Sequence, residues 1–178
     1  MRVLLVYATT HGRTAKIAIR LAEALGGEGV EVDVNDVKQV GDASPRDYDG
    51  VIAGGSLHGG RHQAELVDWV KHHHLELSDR PSLFFSVSLT AAEDTDEARA
   101  ATQDCIDDFL DDTGWLPTRH VPVAGALQYR EYDVFTRVLM RLMMRRGGHP
   151  TDTAQDYDYT DWEAVEQLGR DFAGSLQA

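Results

Sequence analysis

Short apolar runs of strand length alternate with segments of helical period along most of the chain, and that alternation leaves few folds open. Residues 3–6 are a short apolar run, β-branched at both ends, that reads as a buried strand, and strand signals recur at 30–34, 51–55, 82–88 and 120–126. Helical spacing covers 14–25, 64–77 and 96–113, with a last stretch at 162–176. In the first of these, Ile17, Leu21, Ala24 and Leu25 recur on one face. Strands alternating with helices build βαβ units, hence an α/β fold: a doubly wound five-stranded parallel sheet with helices on both faces. Residues 36–49 fit a short helix plus a loop. Thr160, with Glu163 three positions on, predicts a capping box for the last helix. The chain reads as a single domain, 1–178, in which residues 128–158 are an insert before that helix.

Sheets of this kind bind ligands beyond the carboxyl ends of their strands, where the strand order reverses. The loop after the first strand carries Thr9, Thr10, His11, Gly12, Arg13 and Thr14. It joins a strand to the start of a helix, where free N–H groups and the helix dipole favour an anion. Three hydroxyls and a glycine at that joint suggest a phosphate. The loops after the third, fourth and fifth strands, "GGSLHGGRHQ", "SVSLTAAED" and "AGALQYREYDVF", meet the same sheet edge. The first loop has no GxGxxG and no GxxxxGK[ST], so dinucleotide and nucleoside triphosphate sites fit poorly. A hydroxyl-rich loop suits one terminal monophosphate, and flavin mononucleotide (FMN) is such a ligand.

The loop "YATTHGRT" resembles the flavodoxin phosphate loop, and its spacing to "GGSLHGG" and "SVSL" matches the flavodoxin layout. A narrower resemblance comes from the carboxyl-terminal half. There "AGALQY", an Arg- and Met-rich stretch at 135–146, "GGHPTDT" and "YTDWE" follow one another. That order is similar to the flavodoxin-type, quinone-dependent protoporphyrinogen oxidases of bacteria. The resemblance implies a flavodoxin-like fold, FMN as cofactor, protoporphyrinogen IX as electron donor and a quinone as acceptor. It implies that Thr9, Thr10, His11, Gly12, Arg13 and Thr14 hold the phosphate. Ser56, Leu57, His58, Gly59 and Gly60 would flank the flavin ring together with Ser88, Leu89, Thr90 and Ala91. Gly125, Ala126 and Leu127 complete the cofactor set. No side chain is assigned as acid or base, because the flavin carries the chemistry. The alternatives are a flavodoxin-type electron carrier and another FMN-dependent quinone reductase.

Charge narrows the partners. A net charge of −13 argues against nucleic-acid binding, which needs a basic footprint. The acidity, with Arg far commoner than Lys, fits a high-GC genome and equally adaptation to high salt. Residues 130–146 break the pattern with a local charge of +3. A basic amphipathic helix there would contact an anionic membrane surface; the same spacing also fits a helix packed within the domain. Arg130, Arg137 and Arg141 are candidates to meet substrate carboxylates or the quinone. No apolar run reaches the ~20 residues of a membrane span, and no signal-peptide pattern is present, so a cytoplasmic protein is expected, with peripheral contact at the inner face of the membrane. His72, His73 and His74 spread around a helix and no metal site is expected. His58 and His62 are better spaced, without a Cys or carboxylate pattern beside them. Cys105, the single cysteine, reads as a core thiol, and Trp69 and Trp162 as core residues.

Overall fold

The computed structural model describes residues 1–127 and 156–177. Five parallel strands form the sheet: β1 (Arg2–Ala8), β2 (Glu31–Asp36), β3 (Gly50–Ser56), β4 (Ser82–Ser88) and β5 (Arg119–Ala124), in the order β2-β1-β3-β4-β5. The chain leaves β1 through α1 (Arg13–Gly27) toward β2, then returns across β1 to β3. The order therefore reverses between β1 and β3, and a crevice opens beyond their carboxyl ends. Helices α2 (Ala64–Ser78) and α3 (Asp96–Thr113) make the later crossovers, and α4 (Trp162–Ser175) closes the described chain.

Period-two alternation divides the core. On β1, Val3 and Leu5 face one side and pack with Ile17, Leu21 and Leu25 of α1 and Val165 and Phe172 of α4. Leu4 and Val6 face the other side, with Leu66 and Val70 of α2 and Ile106 and Phe109 of α3. All four β1 residues are fully buried, each apolar side chain contributing about 2 kcal/mol. Phe84 and Phe109 stack at 4.3 Å between ring centroids, and Trp115 meets Phe84 edge-on at 5.7 Å. The second layer thereby anchors α3 beside the crevice.

Three sequence expectations change. Residues 36–49 hold two 3₁₀ turns, Val37–Gln39 and Pro45–Asp47, capped by the Asp36 and Ser44 side chains. The capping box at Thr160 does not form. Asp161 caps α4, its carboxylate accepting from the Ala164 N–H at 3.0 Å, while the buried Thr160 hydroxyl donates to the Ala124 carbonyl at 2.9 Å. The fifth strand stops at Ala124 rather than at 126. The Gly125 N–H turns to the Ser88 carbonyl, and β6 (Ala126–Leu127) pairs antiparallel with β7 (Tyr157–Asp158). The two ends of the insert are thus joined beside β5.

Candidate functional site

A cavity of about 400 Å³ occupies the crevice. Its first wall is the loop between β1 and α1. The Thr9 hydroxyl accepts from the Gly12 N–H at 2.9 Å, and Gly12 takes φ 79° as the chain enters α1. That left-handed turn strongly favours glycine. No side chain caps α1, which leaves the N–H groups of its first turn available to an anion. Thr14 is fully buried on the lining, and its Oγ1 has no hydrogen-bond partner. A buried hydroxyl without a partner is costly, and a bound anion would relieve that cost.

The second wall is the loop after β3. The Leu57 N–H donates to the Val87 carbonyl at 2.9 Å, fastening this loop to β4. His58 and Arg61 exchange backbone hydrogen bonds across Gly59 and Gly60, whose φ values of 57° and 79° make a tight reversal at the rim. Gln63 ties the two walls together. Its Nε2 donates to Ser56 Oγ at 2.6 Å and to Thr10 Oγ1 at 3.3 Å. The third wall comes from Val87, Ser88, Leu89 and Thr90, with Ala101, Thr102 and Cys105 of α3. Gly125 and Ala126 complete the lining.

Most of the residues expected from sequence converge here. Thr9, His11, Arg13, Thr14, Ser56, Leu57, His58, Gly59, Gly60, Ser88, Leu89, Thr90, Gly125 and Ala126 line the cavity. Four lie off the lining. Thr10 meets Gln63, Gly12 shapes the turn, the Ala91 N–H donates to Ser88 Oγ at 3.1 Å, and Leu127 is fully buried. Arg130, Arg137 and Arg141 lie outside the described residues.

The histidines divide by position. His58 lines the cavity with its ring 5.5 Å from that of His11. His62, four residues on, turns inward: its Nε2 lies 2.9 Å from Ser86 Oγ, and Phe84 and Phe109 meet its ring edge-on. Burial pushes its imidazole down to about 4, so it packs as a neutral group. His73 pairs with Glu76 at 3.2 Å on α2.

Cys105 corrects its expectation. It is half-buried on the cavity wall, with its thiol raised first by burial and then by Asp108 and Asp104. Trp162 is likewise half-buried, with the guanidinium groups of Arg13 and Arg20 over its ring at 5.6 and 5.8 Å. Trp69 is half-buried against the α2–α3 layer.

Sequence reasoning passed over Gln63, Ala101, Thr102 and Cys105 as site residues. Gln63 is the last residue of the loop "GGSLHGGRHQ" and stands at the N-cap position of α2, where no local pattern marks it as a site residue. The α3 residues sit one turn apart on a single helix face, which helical spacing could have exposed once a cavity was assumed.

The lining that results is selective in charge. Among the described residues it includes no Asp or Glu, and Arg13 is its one arginine. An uncapped helix start and an unpaired hydroxyl lie beside apolar and small side chains. This arrangement accepts an anionic group at one end and a flat, largely apolar body at the other. Residues 4–154 match the family model described as the flavodoxin domain. The chain belongs to the flavodoxin-domain family. Within it, a protoporphyrinogen IX dehydrogenase (quinone) of Leishmania major is 39% identical over 173 residues, covering 97% of this chain and 74% of that protein. The Escherichia coli (strain K12) protein of the same name is 34% identical over 173 residues, with 97% and 95% covered. Solved flavodoxins share the fold. A short-chain flavodoxin associated with a non-canonical PDU bacterial microcompartment superposes with TM-score 0.61 at 14% identity, covering 99% of each chain. Oxidised flavodoxin 1 from Bacillus cereus superposes with TM-score 0.58 at 15% identity, covering 98% of each. Among the described residues, no helix is long and apolar enough to cross a membrane.

Proposed function

We propose that this chain is an FMN-dependent oxidoreductase that converts protoporphyrinogen IX to protoporphyrin IX and delivers the electrons to a quinone. The observation that carries this reading is 34–39% identity, across 97% of the chain, to relatives named for that activity. The residues present fit FMN. The phosphate end would be held by the N–H groups that open α1, by the Thr14 hydroxyl and by Thr9 and Thr10, with Arg13 supplying positive charge. The ring would lie between the Ser56–Gly60 loop and the Ser88–Thr90 segment, closed at one side by Gly125 and Ala126.

When bound, FMN accepts electrons from one substrate and gives them to another. The protein's part is to bind, orient and leave access. Leu57, His58, Leu89 and Thr90 would flank the ring; this lining holds no Trp, Tyr or Phe among the described residues, which supports a ring with room beside it for an organic reactant. The basic stretch 130–146 supports a quinone drawn from a lipid phase, by peripheral contact at the inner membrane face. In the same reading Arg130, Arg137 and Arg141 meet the porphyrinogen propionates or the quinone.

The test is anaerobic. Purified protein is supplied with FMN, protoporphyrinogen IX and a soluble menaquinone analogue, and protoporphyrin fluorescence is followed against an enzyme-free control. The expected rate requires both protein and quinone. A protein that binds FMN yet leaves the porphyrinogen untouched would instead be an electron carrier or a different quinone reductase.

A further inference from the structure

We propose that Asp158 is a positioning residue for the cofactor phosphate: it holds the Arg13 guanidinium against the Trp162 ring at the cavity wall, so that this end of the cavity stays cationic. The inference rests on the FMN reading above and concerns how its phosphate end is built.

Arg13 lies at the first position of α1 and lines the cavity, with its side chain 12% exposed. An arginine side chain is long and carries several rotors, and its charge is easily carried out to water. Here two contacts hold it, and one buried donor is left over. Its Nη1 donates to Asp158 Oδ2 at 2.8 Å, its guanidinium lies over the Trp162 ring at 5.6 Å, and its Nε is buried with no partner. Asp158 is fixed in turn. The same Oδ2 accepts from Trp162 Nε1 at 3.2 Å, and Oδ1 accepts from the Thr160 N–H at 3.0 Å. Burial works against its ionisation, yet the Thr160 N–H and Arg13 outweigh that and hold the carboxyl below its ordinary range. Asp158 pairs across the β6–β7 ladder with Ala126, itself on the lining.

The charge order makes the arrangement directional. The arginine is on the cavity wall, whereas Asp158 is not among the residues that line it. An anion in the cavity therefore meets the guanidinium before the carboxylate. Arg13 and Asp158 are 145 residues apart in sequence, so the far end of the insert completes the phosphate site begun by the first loop.

FMN and riboflavin differ in the phosphate alone, so their affinity ratio reads this role directly. Flavin-free protein is titrated with each by quenching of flavin fluorescence, for wild type, Asp158→Asn, Trp162→Phe, Arg13→Gln and the Arg13→Gln/Asp158→Asn double variant. Wild type should prefer FMN. Asp158→Asn should lower that preference by roughly tenfold, the scale of one charge-assisted contact, with riboflavin affinity nearly unchanged. Trp162→Phe keeps the ring and loses the N–H, and should give a smaller loss in the same direction. In the Arg13→Gln background, Asp158→Asn should add nothing. Equal losses for both flavins, an FMN affinity unchanged or tightened by Asp158→Asn, or full additivity in the double variant would each overturn the proposal. A wild type with no preference between the two flavins would overturn the phosphate site as well.

Discussion

The cavity lining and the outer surface of this molecule follow opposite charge rules. The chain carries a net −13, and α3 alone exposes Asp104, Asp107, Asp108, Asp111 and Asp112 toward solvent. One turn away on the same helix, Ala101, Thr102 and Cys105 face a lining without a carboxylate among the described residues. Exposed charges are screened and tolerant of change. A dianionic ligand in a partly enclosed cavity is not screened, so a single misplaced carboxylate there weighs far more. The contrast teaches that the composition of an acidic protein says little about the charge its site presents.

The sharpest way to break this contrast is to give the lining the character of the surface. Thr9→Asp, in the phosphate loop on the lining, should weaken FMN by about 3 kcal/mol, roughly a hundredfold. Riboflavin should be weakened far less in the same fluorescence titration. If both flavins suffer alike, the charge rule for the lining is wrong.

A comparable effect should come from His62, an ionisable group enclosed by the core. Its imidazole is held neutral by burial, with a folded value of about 4 against an ordinary 6.5. Below the ordinary value the unfolded chain takes up a proton that the folded chain refuses, so stability falls as pH drops from about 6.5 toward 4. The loss should approach about 3 kcal/mol at the acid end. Denaturant unfolding across that window measures it, and His62→Leu should flatten that part of the slope.

Thr14→Val tests the unpaired hydroxyl at nearly constant shape. FMN should weaken by about 2 kcal/mol while riboflavin holds its affinity, because the methyl replaces an oxygen aimed at the phosphate alone. The smallest effect belongs to the outer surface. Arg99 pairs with Asp94 and Asp96 in full solvent, and Arg99→Ala should leave both the unfolding midpoint and the FMN affinity unchanged within error.

The fold was legible because its signals are local. Period-two and helical spacing mark strands and helices residue by residue, and the glycine-bearing, hydroxyl-rich loops fall at strand ends. The phosphate loop was legible for the same reason. What escaped was set by tertiary contact. Gln63 reaches Thr10 across 53 residues, and Asp158 reaches Arg13 across 145; no local pattern distinguishes either from an ordinary polar side chain. The helix cap shifted by one position because Thr160 and Asp161 are both good caps, and only the buried Ala124 carbonyl decides between them. Helical spacing assigns Cys105 to the core because it cannot tell a cavity wall from a packed layer. The arginine-rich stretch 130–146 lies within the family match to residues 4–154, yet it falls outside the described residues, so its membrane contact rests on sequence alone.

The central claim is that the crevice at the β1–β3 switch, whose lining has no carboxylate among the described residues, is the flavin phosphate site. A crystal structure of the chain with FMN tests it most directly. The account predicts a phosphate at the start of α1, within hydrogen-bond distance of Thr14 Oγ1, with the flavin ring between the Ser56–Gly60 and Ser88–Thr90 segments. FMN bound elsewhere, or with its phosphate turned to solvent away from α1, would contradict it.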